Sequence, residues 1–272
     1  MRNFLKHNFP YIFKLAKYIY ISSFVYKSSM DKMKKANDKR RSVRLVEDLK
    51  ILKEVFNDEY FVHNGPFSGL KYIRTSSGSA LLPKIMGSYE EPIQKWIEKV
   101  IEKKYKRIID VGCAEGFYTA GFAMRMPETE IIAYDIDAIA IQNANELIKL
   151  NDLRNVELKT ECTHAELNLL CDESTLVFCD IEGFESVLLD PLKAPNLKKV
   201  DLIIESHDFL VENVTEMLIK RFITSHVITI AVDYPIKREA YNIPTKISDE
   251  LFTYIVQEYR QPVTKYILME HF

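Results

Sequence analysis

The sequence of 272 residues predicts an α/β fold in which a mostly parallel sheet carries helices on both faces. From residue 107 onward, short apolar runs alternate with amphipathic stretches of helical period. This alternation is typical of parallel strands joined by crossover helices. The composition, with 47% hydrophobic and 28% charged residues, is that of an ordinary globular chain, and we find no internal repeat. Fibrous and low-complexity classes are therefore excluded.

Residues 1–58 are predicted to form a basic helical arm ahead of a domain at residues 59–272. Residues 1–44 carry a net charge of +10, and the remainder carries −12. One helix face of the arm gathers five apolar residues: Leu5, Phe9, Ile12, Ala16 and Ile19. The apolar run is far shorter than the roughly 20 residues that a membrane-spanning helix needs. Two interpretations stay open, which are peripheral contact with an anionic membrane surface and packing on the body or on a second copy.

Three elements are predicted in order before residue 107. A helix rich in leucine on one face runs to about Phe56. Residues 59–84 form a hairpin or lid, because Asn64-Gly65-Pro66 is turn chemistry between two strand-like runs. The stretch GSYEEPIQKWIEKVIEKK then begins a helix, with acids early and lysines late, as the helix dipole favours.

Residues 107–272 are predicted to form the core. The strands, in order, are RIIDVG, EIIAYDID, NVELKT, TLVFCD, VDLIIE, HVITIAV and KYILMEH. The main helices are FYTAGFAMRM, AIAIQNANELIKL, FESVLL, LVENVTEMLIKRF and SDELFTYIVQEY. Ligands of such sheets bind at the carboxyl ends of the strands. Acids follow those ends: Asp110, Asp135, Asp137, Asp180, Glu205 and Asp208.

The four cysteines lack the paired spacing of a zinc site. They are Cys113, Cys162, Cys171 and Cys179. We expect buried, reduced thiols, which fit a cytoplasmic protein.

The turn Asp110-Val111-Gly112-Cys113-Ala114-Glu115-Gly116 joins the first strand to a helix. Its G-x-x-x-G spacing differs from the G-x-G-x-x-G of dinucleotide sites, and the sequence has no G-K-[ST] phosphate loop. Asp135, just over twenty residues on, suits the two hydroxyls of a ribose. Asp110 suits an ammonium group. A nucleoside with an amino-acid tail and no phosphate is S-adenosylmethionine.

Four segments in this order, DVGCAEGFYTAG, IIAYDID, FCDIEGFESVLLDP and LIIESHDF, resemble the class I S-adenosylmethionine-dependent methyltransferases. The resemblance is to the FkbM-type branch, known for O-methylation of sugars and natural products. It covers about residues 85–235 and implies a Rossmann-like, seven-stranded sheet whose last strand is antiparallel. The turn departs from that branch's acid-x-Gly-Ala-Asn-x-Gly pattern at Cys113, Ala114 and Glu115.

The resemblance implies the following cofactor contacts. The methionine end lies against the turn, which is made of Asp110, Gly112, Cys113, Ala114 and Gly116. Asp135 binds the ribose, with Asp137 as second choice, and Glu161 or Cys162 lies near adenine. From their position before the cofactor strand, and not from the resemblance, Tyr89 and Glu90 are expected to close over the site.

An acceptor hydroxyl must lose its proton, which requires a base or a metal ion. The ends of the fourth and fifth strands offer the candidates Asp180, Glu182, Glu205, His207 and Asp208. His207 is the first choice for base because histidine titrates near neutrality. Asp180, Glu205 and His207 are an alternative ligand set for Mg²⁺ or Mn²⁺.

The sequence therefore predicts S-adenosylmethionine-dependent O-methylation of a hydroxyl on a sugar, glycan or other small metabolite. Two alternatives stay open, which are a nicotinamide-dependent oxidoreductase and a non-catalytic cofactor-binding module. No nucleic-acid partner is expected, since the body is acidic and the Asp180 motif differs from the Asn-Pro-Pro-Tyr type. The predicted location is the cytoplasm, with the membrane periphery as the alternative through the arm.

Overall fold

Within the described residues, seven strands form one sheet, and each strand coincides with one of the predicted apolar runs. The strands are β1 (Arg107–Val111), β2 (Glu130–Tyr134), β3 (Val156–Lys159), β4 (Thr175–Cys179), β5 (Asp201–Ser206), β6 (His226–Val232) and β7 (Lys265–His271). Their order is β3-β2-β1-β4-β5-β7-β6. Strands β1 to β5 pair in parallel, whereas β7 is antiparallel to both of its neighbours. The predicted fold class is confirmed, and β1, β4 and β5 are adjacent.

The computed structural model describes residues 44–77, 79–243, 246–258 and 264–272. The chain divides into two compact units, residues 1–50 and residues 51–272. Of the first unit, residues 44–50 are described, and they are helical. The apolar stripe predicted at residues 5–19 lies outside the described residues, so the arm stays a prediction. No helix in the described ranges is long and apolar enough to cross a membrane.

Among the described residues of the second unit, three helices precede β1 and six lie between successive strands. They are α1 (51–55), α2 (Leu81–Met86), α3 (Gln94–Lys103), α4 (Phe117–Arg125), α5 (Ala138–Leu150), α6 (His164–Leu170), α7 (Glu185–Leu188), α8 (Val214–Phe222) and α9 (Asp249–Val256). Thr163 and Glu166 form a capping box that fixes the start of α6. Ser248 caps α9 through the Leu251 amide.

Alternate residues of each strand pack into opposite cores. Ile109 and Val177 belong to a cluster that includes Leu188 of α7 and Leu218 of α8. On the other face, the ring of Phe178 lies 4.2 Å from that of Tyr118, which belongs to α4. Burial on both faces explains why these strands are continuous apolar runs rather than alternating ones.

The segment predicted as a hairpin or lid contains a single antiparallel bridge, between Phe61 and Lys71. It packs on the core through Phe67, whose ring lies 5.4 Å from the ring of Phe122 in α4. A Cβ added to Gly121 of the same helix would lie 2.4 Å from the Phe67 ring, so this position leaves no room for a side chain. The segment is thus a covering layer rather than a regular hairpin.

Candidate active site

The glycine turn after β1 is the meeting point of three strand ends. The amides of Gly112 and Cys113 both donate to the carbonyl of Tyr134, at 2.9 and 3.0 Å. A Cβ on Gly112 would lie 1.7 Å from the carbonyl oxygen of Asp180, and Gly112 has a φ of +86°. Only glycine meets both conditions. Gly112 therefore brings the ends of β1, β2 and β4 together.

Asp110, the fourth residue of β1, is buried beneath this turn with an exposure of 2%. The hydroxyl of Thr119 donates to its Oδ2 at 2.5 Å. Burial, together with the nearby carboxylates of Asp135 and Glu90, raises the pKa of Asp110 to about 7 against the bonds from Thr119. A positively charged group beside Asp110 would restore the ionised form, which fits the predicted ammonium contact.

Asp135 follows β2 and is only partly buried. Its Oδ2 accepts the Ala114 amide at 2.9 Å, and its Oδ1 accepts the Asp137 amide at 2.8 Å. A carboxylate has about four acceptor positions, so two remain for the hydroxyls of a ribose. The next side chain, Ile136, is 89% exposed and offers an apolar surface beside that acid. The donor set therefore fits the predicted nucleoside.

The remaining predicted cofactor contacts are Asp137, Glu161 and Cys162. Asp137 caps α5 by accepting the Ile139 amide, a structural task that leaves its role toward the cofactor a prediction. Glu161 is exposed, while Cys162 packs against the apolar core. Burial raises the pKa of the Cys162 thiol to about 12. Their predicted adenine contact is not tested.

His207 lies at the end of β5, inside a ring of carboxylates. It is 3% exposed, and its Nδ1 lies 2.8 Å from Oε1 of Glu185. Its Nε2 lies 3.5 Å from Asp180 and 3.7 Å from both Glu182 and Glu205. Burial lowers the pKa of His207, but the bond and charge of Glu185, with Glu205 and Glu182, outweigh this and raise it above 6.5.

Glu185 is a site residue that the sequence reasoning missed. Its side chain is fully buried, and Oε1 also accepts the amides of Ile181 and Gly183, at 3.0 and 3.2 Å. Glu185 thus shapes the turn after β4 and orients His207. The available signal was the motif Asp-Ile-Glu-Gly-Phe-Glu, whose last acid precedes an apolar helix.

Glu90, in the segment before β1, lies beside two of the carboxylates that surround His207. Oxygen atoms of Glu90, Asp180 and Glu205 lie within 4.8 Å of one another. The Tyr118 hydroxyl donates to Glu90 at 2.5 Å. The neighbouring Tyr89 is buried, with its ring 5.4 Å from that of Phe117, the residue after the glycine turn, and its closure over the site stays a prediction.

Asp208 is the candidate that the structure places in a different role. Its two oxygens accept the amide and the hydroxyl of Thr215, and Lys265 lies 2.8 Å from Oδ2. Burial raises the pKa of Asp208, but the bonds from Lys265 and Thr215 together outweigh it and lower the pKa below 3.8. Asp208 thus ties α8 to β7, and His207 is the better candidate for base.

Comparisons with known proteins agree with this geometry. A family model described as a methyltransferase domain matches residues 102–255, more than half of the chain. No curated protein matches the sequence.

Three solved structures illustrate what this chain is similar to. An rRNA methylase from Streptococcus thermophilus is 15% identical over 68% of this chain and 99% of that chain, with a TM-score of 0.45. An S-adenosylmethionine-dependent O-methyltransferase from Thermotoga maritima is 13% identical over 65% and 64%, with a TM-score of 0.42. An M. jannaschii protein in complex with AdoMet is 15% identical over 65% and 76%, with a TM-score of 0.39.

The oxidoreductase and the non-catalytic module are therefore set aside. The strand order, the glycine turn with its two acids and the family match lead to one assignment. The chain belongs to the methyltransferase-domain family, and the protein is an S-adenosylmethionine-dependent methyltransferase.

Proposed function

We propose that this protein methylates a hydroxyl oxygen of a sugar, a glycan or another small metabolite. The proposal is carried by the position of His207. Its Nδ1 is hydrogen-bonded to Glu185, and its Nε2 faces Asp180 and Glu205. The resemblance to the FkbM-type branch supports the same acceptor class, since the motifs from Asp180 to Glu185 and around His207 carry that resemblance.

His207 is the proposed general base. A carboxylate can only accept, so Nδ1 donates to Glu185 and Nε2 is the nitrogen that takes a proton. Glu185 then stabilises the imidazolium that forms. S-adenosylmethionine, when bound, supplies a sulfonium-activated methyl group. The protein's own residues have to orient the acceptor oxygen, remove its proton and exclude water.

A divalent cation is the second candidate for activating the hydroxyl. The oxygens of Glu90, Asp180 and Glu205 form a compact set, and carboxylate oxygens suit Mg²⁺ or Mn²⁺. The residues present therefore fit such an ion. With a cation held by these carboxylates, His207 would keep its bond to Glu185 and serve to orient the cluster.

Two exposed aromatic rings support a small acceptor with a flat apolar face. Phe209 is 45% exposed, with its ring 5.6 Å from that of His207, and Phe184 is 57% exposed in the turn after β4. Such rings can pack on the apolar face of a sugar. The surrounding carboxylates would repel a phosphate backbone, so we propose no nucleic-acid partner. The described cysteines are all free, which supports a cytoplasmic location.

The test is methyl transfer to a panel of hydroxylated acceptors, followed by mass spectrometry. His207→Ala should lower turnover by about 10²- to 10⁴-fold, the usual range for a general base, with unchanged affinity for S-adenosylhomocysteine. His164→Ala is the matched control, because His164 binds the backbone carbonyl of Val187 outside the cluster. Full activity of His207→Ala would contradict the assignment of the base.

A chelation experiment distinguishes the two ways of activating the acceptor hydroxyl, by His207 or by a divalent cation. Activity that is lost with a chelator and restored by Mg²⁺ or Mn²⁺ would favour the cation, and Asp180→Asn should then be as damaging as His207→Ala. Activity that is insensitive to chelation would favour His207 acting alone. Transfer to nitrogen acceptors but to no hydroxyl in the panel would contradict the proposed acceptor class.

A further inference from the structure

The glycine turn contains a carboxylate, Glu115, that is fully buried and bound by four donors. Its Oε1 accepts the Tyr72 hydroxyl at 2.7 Å and the Ser76 hydroxyl at 2.8 Å, and the Lys84 ammonium lies 2.5 Å from it. Its Oε2 accepts the Ser77 amide at 2.9 Å. All four donors come from residues 72–84, which precede the region that the family model matches.

Lys84 is as deeply buried as its partner, with a side-chain exposure of 3%. Its ammonium lies 4.7 Å from the ring centre of Tyr89 and 5.6 Å from that of Phe117. Burial alone would raise the pKa of Glu115, but the Lys84 charge and the bonds from Lys84, Tyr72 and Ser76 outweigh it and lower the pKa. Glu115 is therefore ionised, and it is paired rather than free to contact a ligand.

The residue before Glu115 links this buried pair to the cofactor side. Ala114 has a left-handed φ of +49°, a conformation that is costly for a residue with a side chain. Its amide donates to Asp135, the proposed ribose ligand. Two consecutive residues thus bind different partners. Ala114 binds Asp135, the proposed ribose ligand, and Glu115 binds residues 72–84. Such a strained turn persists only where its surroundings fix it on both sides.

We propose that Glu115 is a positioning residue for cofactor binding, which holds Ala114 and hence Asp135 in place through the donors of residues 72–84. Residues 72–84, which precede the region that the family model matches, are then a working part of the cofactor site. Asn143 of α5 also contacts it, donating to the Ser77 hydroxyl at 3.2 Å. The proposal rests on the cofactor and is independent of which acceptor is methylated.

A matched pair of tyrosines gives the test. Tyr72→Phe removes one donor to Glu115 and leaves no buried charge unpaired. The control is Tyr105→Phe, because the buried Tyr105 hydroxyl donates to Asp201, which also binds Lys103 at 2.5 Å. That carboxylate begins β5, at the opposite end of the sheet from the glycine turn. The two variants remove the same kind of bond, but only one of them faces the cofactor loop.

The readouts are the affinity for S-adenosylhomocysteine by calorimetry and the melting temperature. Both variants should melt lower than the wild type, and only Tyr72→Phe should bind more weakly, by about five- to tenfold, which is within the usual net contribution of one hydrogen bond. Wild-type affinity in Tyr72→Phe, or an equal loss in Tyr105→Phe, would overturn the proposal.

The second measurement compares a single variant, which unbalances the buried charges of Glu115 and Lys84, with a double variant, which removes both charges. Glu115→Gln leaves Lys84 buried beside a neutral amide and should weaken binding more than Tyr72→Phe does. Adding Lys84→Met removes that stranded charge, while the amide oxygen can still accept from Tyr72 and Ser76, so affinity should recover. Recovery of melting temperature without recovery of affinity, or unchanged affinity in Glu115→Gln, would overturn the proposal. A wild-type protein that binds no S-adenosylhomocysteine would contradict the cofactor assignment on which it rests.

Discussion

At the residue scale, we expect the ionisation of Asp110 to set how tightly the positively charged cofactor is held. With a pKa of about 7, Asp110 becomes neutral as the pH falls through this value. We expect the affinity for S-adenosylhomocysteine, whose amino-acid end carries an ammonium, to fall below pH 7 by up to about tenfold per unit. Calorimetry across this range measures it. Asp110→Asn should bind weakly at every pH, and a flat profile in the wild type would contradict the contact.

The raised pKa of Asp110 also makes the stability of the folded protein depend on pH. The pKa of Asp110 is raised in the folded protein above its ordinary 3.8, so the folded state holds this proton more tightly than the unfolded state. Its contribution to stability is present below the ordinary pKa and is lost as pH rises through about 7. The cofactor-free protein should therefore gain stability from Asp110→Asn above that pH.

The pH dependence of turnover tests the pairing of His207 with Glu185. A base acts when it is deprotonated, so activity should fall as pH drops through the pKa of His207, which lies above 6.5. Glu185→Gln removes the strongest raising influence and should move this limb to lower pH. Glu182→Gln is the control, because that side chain is 73% exposed and solvent screens its charge. Equal shifts in the two variants would contradict the pairing.

At the scale of elements, the approach of β1 to β4 depends on the absence of a side chain at Gly112. Gly112→Ala should destabilise the protein by more than the roughly 1–2 kcal/mol that a left-handed conformation costs, because the Asp180 carbonyl occupies the same space. Gly69→Ala isolates that conformational cost, since Gly69 has a φ of +90° and nothing within 4 Å of an added Cβ. Urea denaturation of both variants gives the comparison, and equal losses would contradict the close approach.

The strands and most of the core helices could be predicted because each follows a local pattern of apolar residues, whereas the short helices α2 and α6 were not predicted. Buried parallel strands are continuous apolar runs, and acids at or just after their carboxyl ends meet at one edge of the sheet, as Asp110, Asp135 and Asp180 do. Glu115 could not be predicted in this way. Its partners lie 31 to 43 residues away along the chain, and no local period links a turn acid to a lysine in another segment. Glu185 was missed because an acid at the start of a helix is ordinarily a solvated one.

At the scale of the whole molecule, residues 1–44 are basic and the rest of the chain is acidic. Binding of the basic arm to anionic lipid can therefore be tested by changing the ionic strength. If residues 1–26 bind anionic lipid, the full-length protein should float with anionic vesicles at low salt and be released at high salt. A chain that lacks these residues should stay unbound. If both forms remain unbound and the shortened chain loses stability or self-association, the arm packs on protein instead.

The buried bond between Glu115 and Lys84 also constrains how this protein can diverge. Loss of either partner alone strands a charge in the interior, so a single substitution at one position is disfavoured while the other remains. We therefore expect relatives to change the two positions together. A neutral residue in the turn should be accompanied by an apolar residue in place of the lysine. The history of the cofactor loop would then be recorded partly in a segment that precedes the region matched by the family model.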